Sequence, residues 1–126
     1  MKPLLSLLIP LFLLAPAASA DDQSVKAIEL YKNCKEALRY FETGTTTNTI
    51  GVSYCVGYVK GATEMMAVMS TEAKDKYNAC MGLDEITTES SIKILVDFLE
   101  RNPSTMDMNP LVVLMTSHVS HYHCDK

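Results

Sequence analysis

Apolar residues recur at three- and four-residue steps along most of this chain, and no stretch shows sustained two-residue alternation. That period belongs to helices packed on one face, not to strands. Four helical segments follow from it. The first runs from about Ser24 to Phe41, with Val25, Ile28, Leu30, Tyr31, Cys34, Leu38 and Phe41 as its apolar set and Ser24 as N-cap. Gly44 and the threonine run behind it end this helix. The second starts near Thr49 and continues to about Met69, with Ile50, Tyr54, Tyr58, Gly61, Met65 and Val68 along one face. The third covers about Glu89 to Arg101, capped by Thr88, with Ile92, Leu95, Val96 and Leu99 as its buried stripe. Asn102-Pro103 stops it, because a residue before proline avoids the helical region. The fourth begins with Asn109 as N-cap and Pro110 in the first helical position, and Leu111, Leu114, Met115, His118 and Tyr122 share a face. The expected fold class is all-α, a small bundle of four main helices.

The start of the chain does not fit this scheme. Met1-Lys2 precedes an apolar run from Leu4 to Leu14, and Ala18-Ser19-Ala20 gives the small-x-small pattern cut by a signal peptidase. Residues 1–20 therefore read as a secretory signal peptide cleaved after Ala20, and residues 21–126 as a single domain. Losing Lys2 with the leader takes the net charge from −4 to −5. An acidic surface argues against nucleic acid or an anionic membrane as partner and attracts a basic one.

Export changes the meaning of Cys34, Cys55, Cys80 and Cys124. An even set in an oxidising compartment reads as two disulfides, and no pair has the spacing of a redox CxxC or a zinc ribbon. Four cysteines allow three pairings. An up-down bundle favours Cys34–Cys55, since both lie roughly 10 Å below the turn shared by the first two helices. Cys80 and Cys124 then meet at the opposite pole.

Other residues carry candidate chemistry. His118 and His121 lie three apart on one helical face and are weak metal candidates; a frayed helix end, where charged histidine suits the helix dipole, explains them as well. Residues 70–88 form the longest irregular stretch, with Cys80, Gly82 and six charges, and loops of this length are often functional. Met65, Met66 and Met69 suit either a core or an adaptable binding face. No nucleophile stands beside a base motif, so no enzyme active site and no cofactor are expected.

The most specific segment is Tyr54-Cys55-Val56-Gly57-Tyr58-Val59-Lys60-Gly61. It resembles the Y-C-x-G-Y-x-x-G signature of the Rap/Tai family of type VI secretion amidase immunity proteins. The order of the remaining features agrees: Cys34, Cys80, the Leu99–Pro103 helix end and the terminal Cys124. The family pattern has proline soon after the third cysteine, where this chain has Met81-Gly82. The resemblance implies a periplasmic all-α homodimer, without enzyme activity, that blocks the cleft of a cysteine–histidine peptidoglycan amidase. On that reading Glu72, Asp75, Tyr77, Asp84 and Glu85 are the expected effector contacts, from the length and charge of their stretch. Tyr54, Gly57, Tyr58 and Gly61 form a packing motif, with the two glycines serving a contact either within the subunit or across a dimer. A periplasmic acid-stress chaperone and a small metal carrier are the alternatives, both drawing on the clustered histidines.

Overall fold

The computed structural model describes residues 24–73 and 86–122, with side chains for 24–68 and 86–122. Four α-helices make up the described chain: α1 (Ala27–Thr43), α2 (Thr49–Ala73), α3 (Thr88–Arg101) and α4 (Pro110–Tyr122). A single 3-10 turn, Pro103–Thr105, links α3 to α4, and no strand occurs among the described residues. The expected all-α bundle is thus the observed fold.

The ends of the helices follow local chemistry. Gly44 closes α1 at φ 71°, a left-handed conformation that suits glycine, and its N–H donates to the Tyr40 carbonyl at 2.8 Å. The Thr87 hydroxyl accepts from the Ser90 N–H at 3.1 Å, so the cap of α3 is Thr87 and not the expected Thr88. Asn109 caps α4 as expected, its Oδ1 accepting from the Leu111 N–H at 2.9 Å. Ser24 does not cap α1. The helix starts three residues later, behind Lys26, which offers no capping side chain. The first amides of α1 donate instead to the α3–α4 connection, Ala27 to the Met108 carbonyl at 2.9 Å and Ile28 to the Met106 carbonyl at 2.8 Å. Those carbonyls satisfy donors that every helix start leaves open. α2 runs four residues beyond the expected end at Met69, so residues 70–73 of the stretch expected to be irregular are helical.

Leu30, Cys34 and Ala37 of α1 meet Val52, Cys55, Val59 and Met66 of α2, with Ile92, Leu95, Val96 and Leu99 of α3 and Val113 and Leu114 of α4 completing one core. α1 and α3 each touch all three other helices, whereas α2 and α4 hardly meet. The first and third helices therefore form a central pair, flanked on opposite sides by the second and fourth. Cys34 and Cys55 are joined, with their Cα atoms 5.1 Å apart, so the expected bridge ties α1 to α2. Cys80 and Cys124 lie outside the described residues.

Two expected faces are rotated. The stripe assigned to the core side of α2 is largely its outer face: Ile50 is 84% and Met65 61% exposed, and Gly57 and Gly61 are exposed too. Val52, Cys55, Val59 and Met66, half a turn round the helix, are buried instead. In α4, Leu111 and Met115 face outward, while Val113, Leu114, Ser117 and His118 are buried. Both helices are apolar all round, so periodicity had two faces to choose between and the disulfide decided for α2.

Candidate functional site

The signature segment lies wholly within α2, and helix geometry splits it in two. Cys55 and Val59 point into the core, each fully buried. Tyr54, Gly57 and Gly61 point out. Tyr58 stands on the flank, half-buried, its ring centroid 5.9 Å from that of Tyr54. Burial pushes the Tyr58 hydroxyl above its ordinary pKa, with the Tyr54 hydroxyl adding to the effect. A Cβ on Gly57 or Gly61 would meet no atom within 4 Å among the described residues. The glycine of α2 that does need to be small is Gly51, which the sequence reading passed over. A Cβ there would strike the amide groups of Asn48 and Asn33. Both amides are committed: Asn48 Oδ1 accepts from the Gly51 N–H at 2.9 Å, and Asn33 Nδ2 donates to the Glu29 carbonyl at 3.0 Å. An asparagine just before a helix with a glycine three residues on was the visible signal.

Of the expected effector contacts, Asp75, Tyr77, Asp84 and Glu85 lie outside the described residues. Glu72 sits in the last turn of α2, and its side chain is likewise not described. Ile86, just before α3, is half-buried against the core.

The clustered histidines separate. His118 has no exposed surface. Its Nδ1 donates to the Leu114 carbonyl at 2.9 Å, so its Nε2 carries the lone pair and accepts from the Ser91 hydroxyl at 3.1 Å. Burial holds its pKa below the ordinary histidine value. Both ring nitrogens are engaged, and His118 is not available to share a metal with the exposed His121. No group of three potential metal ligands occurs among the described residues. His121 instead lines a shallow cleft of about 340 Å³ between α3 and α4, with Asp97, Arg101, Ser120 and Phe98 around it.

Charged contacts elsewhere tie helices at the surface. Glu100 of α3 accepts from Lys35 at 2.8 Å and from the Tyr31 hydroxyl at 3.1 Å, both on α1. The Lys35 ammonium, foremost, lowers the Glu100 pKa. These groups are exposed and add little to stability. No helix among the described residues is long and apolar enough to cross a membrane.

No curated protein and no solved structure matches the chain. A family model described as Rap1a immunity proteins matches residues 26–124, a span that takes in all four helices, the signature and the four cysteines. The chain belongs to the Rap1a family of immunity proteins.

Proposed function

We propose that the chain is a periplasmic immunity protein that binds a type VI-delivered peptidoglycan amidase of the cysteine–histidine type and blocks its cleft. The observation that carries this reading is the family match over residues 26–124, coinciding with the Y-C-x-G-Y-x-x-G segment on α2. The fold supports it. A bundle with a disulfide between α1 and α2, and no orphaned buried side-chain donor or acceptor among the described residues, is a rigid body that loses little entropy on binding. The chain acts by occlusion, needs no cofactor, and works as a homodimer in which two copies hold two amidases. Glu72, Asp75, Tyr77, Asp84 and Glu85 supply the contacts, and their four carboxylates suit a basic rim around the amidase cleft.

The test is size exclusion with light scattering on oxidised residues 21–126, alone and mixed with cysteine–histidine amidases, with residual amidase activity read in each mixture. A stoichiometric complex with one amidase and loss of its activity is the expected result. No complex with any amidase sinks the reading and moves attention to a client-protection assay at low pH. Neutralising the five contact residues together should weaken the complex at least tenfold; unchanged affinity would move the contact elsewhere.

A further inference from the structure

A polar tie is buried in the apolar seam between α3 and α4. Leu95 and Leu99 of α3 and Val113 and Leu114 of α4, all fully buried, close that seam. Within it His118 Nε2 accepts from the Ser91 hydroxyl at 3.1 Å, and both residues are shut off from water. The Ser91 hydroxyl makes no other hydrogen bond among the described residues. A positive ring is poorly served here. Ser91 is the fourth residue of α3, so the imidazole stands at the electropositive end of that helix. Glu89 in the same turn is exposed and paired with Lys93 at 2.6 Å. Asp97 lies on the outer rim of the cleft, 3.8 Å from Arg101. His121 and Tyr122 follow on α4, and the first adds a like charge. The buried side chains of α1 and α2, from Ala27 and Leu30 to Val59 and Met66, carry no charge. The Leu114 carbonyl alone favours the protonated ring.

The start of α4 is anchored. Just before it, the Met106 and Met108 carbonyls accept the first amides of α1 at 2.8 and 2.9 Å, and Asp107 meets Lys26 at 3.0 Å. α4 begins at Pro110, directly behind that anchor, and His118 lies roughly 12 Å further along the helix. We infer that the Ser91–His118 tie is an acid latch: a proton on Nε2 ends the hydrogen bond that Ser91 donates, and α4 parts from α3 about Asn109-Pro110 while α1, α2 and α3 stay together. The proton comes from solvent and remains on the ring, which the parted seam hydrates. What stays behind has its own support, because the disulfide ties α2 to α1 and Leu30 and Ile92 keep α1 and α3 in one core. Parting bares Val113 and Leu114, so acid turns a closed bundle into one with an open apolar seam. The latch uses none of the proposed amidase contacts and works the same whatever the chain binds.

The test is hydrogen exchange read by NMR on the oxidised mature chain at about pH 7 and about pH 5, corrected for the pH dependence of intrinsic exchange. The His118 ring signals are followed on the same samples. One proton taken up by the opened form alone raises the opening constant of α4 by as much as about 25-fold between those pH values. The expected result is a rise of about tenfold or more for the α4 amides, with those of α1 and α3 still the slowest in the molecule. His118→Gln keeps an amide for Ser91 and takes up no proton, so its α4 amides should open equally at both pH values. A smaller rise in the parent overturns the latch, and so does a rise that survives in His118→Gln. Exchange of α1, α3 and α4 at one common rate at pH 5 overturns it as well, since the response is then global unfolding. Where His118→Gln does not fold, the parent's ring signals supply the check. They should stay those of the neutral ring at pH 5 while the seam is closed; a ring that takes up its proton with α4 still protected refutes the latch.

Discussion

His118 sets how the molecule answers acid. Its ring is buried with Nε2 turned to the Ser91 hydroxyl, and the charge nearest to act on it is His121, which disfavours the protonated form further. Only the hydrogen bond to the Leu114 carbonyl works the other way, and among the described residues no carboxylate offsets the shift. Its native pKa therefore lies below the unfolded value of 6.5. Above that value both states are neutral and the contribution to stability is complete. As pH falls through it, the unfolded chain takes up a proton that the native state refuses, and stability drops until the lower native pKa is reached. Urea titrations should show loss of stability from about pH 6.5 downward, ahead of any loss from Glu36 and Glu100, whose depressed pKa values cost stability only once pH falls into the ordinary carboxylate range. His118→Leu should cost about 1–3 kcal/mol at pH 7, because the Ser91 hydroxyl loses its partner. Adding Ser91→Ala should recover part of that and leave the slope near pH 6 flat; a slope that survives in the double variant would place the titration elsewhere. The glycines of α2 give a second contrast. Gly51→Ala should destabilise by about 1 kcal/mol by displacing the Asn48 cap, whereas Gly57→Ala should stabilise the single chain by a similar amount. Denaturation midpoints moving the same way for both would refute the assignment of Gly51 as the crowded one. The burial of His118 was not legible beforehand: the sequence groups three histidines, and only the packing of α3 on α4 separates the buried one from the exposed His121.

Between elements, the disulfide from α1 to α2 is the strongest single constraint. It closes a loop across 21 positions, and in chain-entropy terms this stabilises by about 3 kcal/mol. Cys34→Ala/Cys55→Ala should lose about that much in chemical denaturation, and more if the fully buried pair leaves a cavity. The pairing was readable from sequence because both cysteines stand equally far from one turn, a matter of counting residues at a fixed rise. The same reasoning assigns Cys80 to Cys124, and peptide mapping of the oxidised chain should recover that cross-linked pair. Finding Cys80 joined to any other chain position would overturn it. Helix existence was equally legible, since Gly44, Asn102-Pro103 and Asn109-Pro110 mark where α1 ends, α3 ends and α4 begins, and each segment is apolar at helical spacing. Helix orientation was not. α1 and α3 are amphipathic, and the buried stripe of α3 is the expected one. α2 has apolar residues on both sides, and its better-spaced row turned out to face away from the core. The proposed contact residues between 72 and 85 were chosen for charge and length, and a charged segment has no periodicity from which to place it.

At the scale of the whole molecule, the arrangement predicts a gradient of stability. α1 and α3 are each packed against three helices and carry seven of the fully buried core side chains between them, including Leu30, Ile92, Leu95 and Leu99. α2 and α4 have one side on that pair and the other outward. Opening a flank exposes one interface, whereas opening the centre requires the whole core to be lost. Hydrogen exchange on the oxidised mature chain should therefore find the slowest amides in α1 and α3, approaching the free energy of global unfolding. The α4 amides should exchange through smaller openings. For α2 the bridge adds a constraint that α4 lacks among the described residues. The disulfide fixes the helix at Cys55, so the amides around it should exchange more slowly than those of α4 and should speed up when the bridge is reduced. Exchange in α2 that reduction leaves unchanged would mean that the core contacts of Val52, Val59 and Met66 hold the helix without the bridge.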